Sequence, residues 1–286
     1  MRQPEPNGRY QVVTPSLDRR LAMDAFAAIP CGHPMVAALE FDVSAPLAVI
    51  ETLKAQGNRV SLFAFLVRCI ARAIAEHPDL NLVRHGKRLV RFEDVDVCVP
   101  LEVETRHGPA PREIVVRRAQ TLTAQTIYQQ LELARTEHAR TGALGSEDRW
   151  ARSMMRAFGW LPRSARIAVI RLIIRSAFRV KARAGTTMVT SVSKFASVPG
   201  AAFTFSTGPR AALFVVGSVV EKPWLHEGHI VPRHVLSLSM IVDHDLVDGA
   251  PAARFATCLR SLIESADGLG PVSRTDSASR TSSVVA

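Results

Sequence analysis

The stretch "LSLSMIVDHDLVDGAPAARF" (Leu236–Phe255) decides how the chain is read. It begins as a strand. Leu236, Leu238 and Met240 alternate with Ser237 and Ser239, so one face is apolar and the other carries hydroxyls. It ends in a segment, residues 249–266, that reads as a helix. At the junction His244 is set among Asp243, Asp245 and Asp248. A side chain placed there is held by a rigid strand end and can face a cleft. Histidine suits proton transfer near neutrality. Asp243 or Asp248 can orient the imidazole or a structural arginine, and Gly249 lets the chain turn tightly into the helix. The same residues also fit a histidine that merely caps a loop, and the junction taken alone leaves both readings open.

Working outward, the strand pairs naturally with an earlier run. Residues 210–224 are strand-rich, "HEGH" (226–229) reads as a hairpin turn, and 230–244 returns. Residues 186–195 and 201–207 also read as strands. Toward the N-terminus, 16–29 reads as a short helix and 35–44 as a strand. A helix follows over 44–58 with a glycine stop at Gly57, then a largely buried one over 61–80 that ends before Pro78. Residues 88–104 hold two strand-like runs, with Val95, Val97 and Val99 on one face. A loop and strand over 108–119 lead to an amphipathic helix at 121–141. The expectation is one α/β domain over 16–267, a mixed sheet packed against helices, with an extended arm at 1–15 and a disordered Ser/Thr-rich tail at 268–286.

Composition limits the function classes. No apolar run reaches the roughly 20 residues of a membrane span, and the N-terminus lacks the apolar core of a secretory signal. Cys31, Cys69, Cys98 and Cys258 are scattered without a CxxC, which reads as reduced, mostly buried thiols in a cytoplasmic protein. The formal charge of +10 suggests a nucleic-acid partner at first sight. However, residues 146–183 carry ten Lys/Arg against two acids, +8 of that +10, so the basicity belongs to one segment. That segment contains no recognisable nucleic-acid module, and nucleic acid is not expected as a partner. No dinucleotide or P-loop glycine pattern occurs. His226, His229 and His234 with His244 lack zinc-ligand spacing, so no metal is expected.

The run "DHDLVDGAPAARF" (243–255) resembles the DHxxxDG signature of the dihydrolipoamide acyltransferases, the catalytic cores of 2-oxoacid dehydrogenase complexes. Chloramphenicol acetyltransferase belongs to the same superfamily. The segments "EHPDLN" (76–81), "VDVCVPLEVE" (95–104), "REIVVRRAQTLT" (112–123) and "GPRAALFVVGSV" (208–219) resemble that family in order and spacing, so the likeness covers about residues 16–266. The resemblance implies a chloramphenicol acetyltransferase-like fold and direct acyl transfer without an acyl-enzyme. His244 would be the general base, with Asp248 holding the turn. A strand hydroxyl would donate to the developing oxyanion: Ser191, with Thr190 and Ser193 as competitors. It implies coenzyme A thioester as co-substrate with no tightly bound cofactor. It also implies a homotrimer whose sites combine the histidine of one subunit with the hydroxyl of the next.

The chain departs from the family at two places. Asp245 stands where dehydrogenase members have arginine, and Lys194 and Phe195 stand where a glycine is expected. No lipoyl lysine or subunit-binding segment is read in the chain, so it is expected to act standalone on a thiol, hydroxyl or amine acceptor. The donor is read as acyl-coenzyme A or an acyl-carrier protein. A reading from another class is a catalytically inactive, partner-binding scaffold, for which the His244–Asp248 pair has no chemical use. Residues 146–183 fill what the family spans with a short loop. Pro162 divides them into two helical pieces with Arg171, Arg175 and Arg179 on one face. They read as a basic helical insertion with its arginines in water, a lid over the pocket, a face for an acidic carrier protein, or a peripheral contact with anionic membrane.

Overall fold

The computed structural model describes residues 11–270 except 12, 16, 30, 31, 106, 107, 142–156, 193–198, 205 and 227. The chain opens with α1 (Leu17–Ala28), β1 (Pro34–Asp42), α2 (Ser44–Ala55) and α3 (Leu62–Glu76). Next come β2 (Leu82–His85), β3 (Arg88–Arg91), β4 (Val97–Thr105), β5 (Gly108–Val116) and α4 (Ala124–Thr141). Residues 157–160 are helical, followed by α5 (Arg163–Ile174) and α6 (Ala177–Ala184). The chain then runs through β6 (Thr187–Ser191), β7 (Ala212–His226), β8 (His229–Asp243) and α7 (Gly249–Glu264).

Six strands form one mixed sheet in the order β1-β8-β7-β6-β4-β5, and β2 pairs with β3 separately. Pairings of β6 with β4 and with β7 are parallel, and the rest are antiparallel. α3 explains the main core. Its start is fixed by Ser61, whose side chain accepts from the Ala64 amide, and Phe65, Leu66, Ile70 and Ile74 are fully buried. They join Phe214, Leu236 and Leu238 of the sheet and Phe255 and Leu259 of α7 in one hydrophobic cluster. On the opposite face Leu213, Val215 and Ile241 form a smaller cluster with Met188, Val192 and Ala202. Both faces of β8 are therefore covered from Val235 to Asp243, and Ser237 and Ser239 are buried as well. The site histidine follows the most deeply packed strand of the molecule.

Several expectations need correction. Residues 201–204, 206 and 207 are not a strand. β6 and β7, the strands before and after them in the chain, already have partners on both sides and offer them no place. The strand expected at 186–195 is confined to Thr187–Ser191 plus an extended Val192, and 193–198 lie outside the described residues. The 108–119 segment is strand from Gly108 onward, because it pairs along its whole length with β4. The basic segment breaks twice after residue 157, at Pro162 and again at Ser176, whose hydroxyl caps α6 by accepting from the Arg179 amide.

Nor are all its arginines in water. Arg166 is buried and donates to the buried Asp24 of α1 at 2.6 Å and to the Leu161 carbonyl at 2.7 Å, and Arg163 donates to Asp24 at 3.1 Å. The Arg166 bond draws the Asp24 carboxyl below its ordinary value. Burial opposes that shift and Arg163 assists it. α6 packs over β2 through Val83, Ala177 and Val180. The arm at 1–15 and the tail at 268–286 lie largely outside the described residues, as does Cys31; Cys69, Cys98 and Cys258 are free thiols. Among the described residues no helix is long and apolar enough to cross a membrane.

Candidate active site

β8 delivers Asp243 as its last residue, and the chain turns at once. The Asp243 carbonyl accepts from the amides of Leu246 (2.9 Å) and Val247 (3.1 Å), and its carboxylate accepts from the Asp245 amide at 3.1 Å. These bonds close the turn around His244. The His244 amide donates to the His33 carbonyl at 2.9 Å, which pins the turn to the segment before β1. Asp243 is 3% exposed, and its charge is met by Arg84 of β2, whose Nη2 lies 2.8 Å from Oδ2. The cradle is tight: a Cβ on Gly32 would lie 2.7 Å from Oδ1 and 2.8 Å from Oδ2 of Asp243.

Asp245, the departure from the family pattern, does not compete for His244. One oxygen takes the His33 Nδ1–H at 2.8 Å, and the other takes Arg84 Nη2 at 2.9 Å. The His33 bond holds the Asp245 carboxyl below its ordinary value. Burial works against this and the Arg84 bond adds to it. For Arg84, burial would lower the guanidinium pKa, but Asp243 and Asp245 outweigh it and raise it. Arg84 and His33 were not singled out by the sequence. The signal available was only that Asp243 could serve a structural arginine, with nothing to say which one.

The His244 ring is half exposed. Its Nδ1 lies 3.7 Å from Oδ1 of Asp248, whose side chain is 84% exposed. Asp248 occupies the position before α7 in extended backbone, and its side chain makes no capping bond. Within one chain, therefore, the turn is held by Asp243, and Asp248 stands beside the imidazole as an unburied negative charge.

Ser191 ends β6 and lines a cavity of about 600 Å³. Leu62, Phe63 and Leu66 of α3 and Tyr128 and Leu131 of α4 form much of its wall. Gly217 contributes where β7 shifts register against β8. A Cβ there would lie 2.6 Å from the Gly200 carbonyl and 2.8 Å from that of Ser237, so only glycine lets the three backbones approach. Thr190, one residue earlier on the strand, does not line this cavity, and Ser193 lies outside the described residues.

The chain does not bring His244 and Ser191 together. Ser191 is level with Val216, and Val216 is level with Leu238. From Leu238 to His244 is six residues, roughly 20 Å along the strand direction. His244 lies just past one end of β8, whereas Ser191 is level with the middle of that strand. His226 and His229 pair at the far tip of the β7–β8 hairpin with His234 between, so these histidines do not converge with His244.

Comparisons with known proteins place the chain among known sequences and folds. The sequence profile of the 2-oxoacid dehydrogenases acyltransferase (catalytic domain) matches residues 32–151 and 181–270, leaving out most of the basic segment. The chain is similar to the lipoamide acyltransferase component of the branched-chain alpha-keto acid dehydrogenase complex of Bacillus subtilis. They are 22% identical over 235 residues, which is 80% of this chain and 46% of that protein. It is also similar to the dihydrolipoyllysine-residue acetyltransferase component of the pyruvate dehydrogenase complex of Zymomonas mobilis, at 22% identity over 77% of this chain and 41% of that one. The chain thus spans about half the length of the curated relatives it matches. Among solved structures, a probable dihydrolipoamide acetyltransferase from Listeria monocytogenes superposes with a TM-score of 0.65 at 19% identity, covering 91% of this chain and 96% of that one. The cubic core of a pyruvate dehydrogenase multienzyme complex superposes at 0.62 and 17% identity, covering 93% and 98%.

Proposed function

The chain belongs to the 2-oxoacid dehydrogenase acyltransferase (catalytic domain) family, and from that premise we propose that it moves an acyl group from a coenzyme A or carrier thioester to a thiol, hydroxyl or amine acceptor by direct attack. His244 takes the proton from the acceptor's X–H as the X–C bond forms at the thioester carbonyl. The C–S bond then breaks, and the proton passes from the imidazolium to the departing thiolate. Asp248 stands 3.7 Å from the ring nitrogen Nδ1 as the proton is taken up. Ser191 donates to the oxyanion as it forms, an effect worth about 3–4 kcal/mol when the donor is preorganised.

The observation that carries this reading is the separation of the two groups. A histidine just past one end of the sheet and a hydroxyl in a cavity roughly 20 Å along it make no site within one chain. They make one if the histidine of one subunit enters beside the Ser191 cavity of a neighbour, as in a cyclic trimer. Asp245 is held by His33 and Arg84, and Asp248 is the carboxylate that stands beside His244, an arrangement that favours catalysis over an inactive scaffold. The test is thiol release from a series of short to long acyl-coenzyme A esters, with and without dihydrolipoamide, in the native chain and in His244→Ala. Release that falls roughly 100-fold to 10,000-fold in the variant supports the reading. Equal release in both, or none from any coenzyme A ester or acyl-carrier thioester, overturns it in favour of the scaffold.

A further inference from the structure

A second cavity, of about 500 Å³, opens between the end of α1, the β2–β3 turn and α5, and no carboxylate lines it. Four cations do: Arg84, Lys87, Arg171 and Arg175. Arg84 is spent on Asp243 and Asp245. Arg171 makes one long bond, 3.4 Å, to the Ala27 carbonyl, and Lys87 and Arg175 have no ion pair among the described residues. Three like charges gathered without an acid repel one another, and an anion relieves that repulsion. The backbone fixes them in place beforehand. Gly86 of the turn donates its amide to the Arg175 carbonyl at 2.8 Å, and the Ala177 amide donates to His85 Nδ1 at 3.2 Å, so turn and helix are tied together. Ile174 and Pro209 give the cavity an apolar side.

Two of the cations, Arg171 of α5 and Arg175 at its C-terminal cap, lie in the stretch the family profile skips. The cavity is therefore this chain's own addition. It also shares a wall with the catalytic turn, since Arg84 reaches from its lining to the carboxylates on either side of His244.

We propose that this pocket is a phosphate site that receives the phosphate end of the phosphopantetheine thioester donor, whether that arm belongs to free coenzyme A or to a carrier protein. Arginine forks match phosphate oxygens two at a time, and lysine adds a point charge. The inference rests on the acyl-transfer reading above for the nature of the donor, and on the cavity alone for the anion.

The test uses the full chain and the double variant Lys87→Ala with Arg175→Ala. Both side chains are exposed, and an unchanged melting temperature establishes that the variant is folded. Binding is measured by calorimetry with inorganic pyrophosphate, phosphopantetheine and coenzyme A, at two salt concentrations. The expected result is roughly 10-fold to 100-fold weaker binding of all three in the variant, with a shallower salt dependence. Loss with coenzyme A alone assigns the site to the nucleotide phosphates, and loss with phosphopantetheine as well assigns it to the arm shared with a carrier. In turnover, the preference for the coenzyme A thioester over the phosphate-free pantetheine thioester should collapse through KM. Unchanged binding of every probe overturns the proposal even if thioesters are turned over. Pocket-dependent binding without any turnover keeps the phosphate site and removes the acyl-transfer reading instead. If the variant loses binding to phosphatidylglycerol vesicles while pyrophosphate binding is intact, the basic face is a lipid contact and the proposal fails.

Discussion

Replacing Arg84 by methionine tests how the catalytic turn is held. One nitrogen of Arg84 serves two carboxylates of very different burial. Asp245 is 39% exposed and keeps its His33 bond, so losing Arg84 there costs about 0–1 kcal/mol. Asp243 is 3% exposed, and without Arg84 the partner left to its carboxylate among the bonds described here is the Asp245 amide at 3.1 Å. A buried charge stripped of its counter-ion costs about 3–5 kcal/mol. That term decides the outcome: Arg84→Met should lower the melting temperature by about 10 °C. Adding Asp243→Asn to Arg84→Met leaves no charge to strand, and the double variant should regain more than half of the loss. Chemical denaturation of both single variants and the double closes the cycle. A cost below about 1 kcal/mol for Arg84→Met, or a double variant weaker than the two losses added, would refute the reasoning.

Three further outcomes follow from the same contacts. Gly32→Ala drives a methyl to within 2.7 Å of a carboxylate that Arg84 keeps from moving, and should cost about 1–3 kcal/mol in denaturant together with a drop in turnover. Gly217→Ala meets backbone carbonyls on two sides, at 2.6 and 2.8 Å, and should destabilise by a similar amount while changing acyl-chain preference at the Ser191 cavity. For Asp96 of the loop before β4, burial would raise the carboxyl, but Lys181, the Arg118 amide and Arg117 outweigh it and leave it lowered. Its stabilising contribution is therefore complete above the ordinary aspartate value near 4 and lost as pH falls through the lowered folded value. Asp96→Asn should cost on the order of 1–3 kcal/mol at neutral pH, and its stability should converge with that of the native chain on acidification.

The sequence made the β7–β8 hairpin, α3 and α7 legible because their apolar residues recur with the period of the element. The signature around His244 was legible for a different reason: it places chemistry at a strand end. What stayed hidden depends on contacts far apart in the chain. Arg84 meets Asp243 across 159 residues, and Arg166 meets Asp24 across 142, so a local pattern shows only a charge on a face and never its partner. Residues 201–204, 206 and 207 have strand-like composition, but the strands before and after them in the chain, β6 and β7, already have partners on both sides. Val95, Val97 and Val99 are all buried as read, yet Asp96 and Cys98 between them are buried too, because the second face of this run is also covered, with Arg117, Arg118 and Lys181 closing over Asp96. Alternation reports one wet face only when the sheet has one.

The account's central claim is that the active site forms between chains, and subunit mixing tests it most directly. His244→Ala and Ser191→Ala are each prepared inactive, then dissociated and reassembled together. If the site joins His244 of one subunit to Ser191 of the next, roughly a quarter of the contacts over all reassembled rings regain both native residues, and acyl-coenzyme A turnover returns to that level. Should the mixture stay as inactive as its components while the reassembled native protein recovers, the two residues do not share a site across an interface, and the account is contradicted.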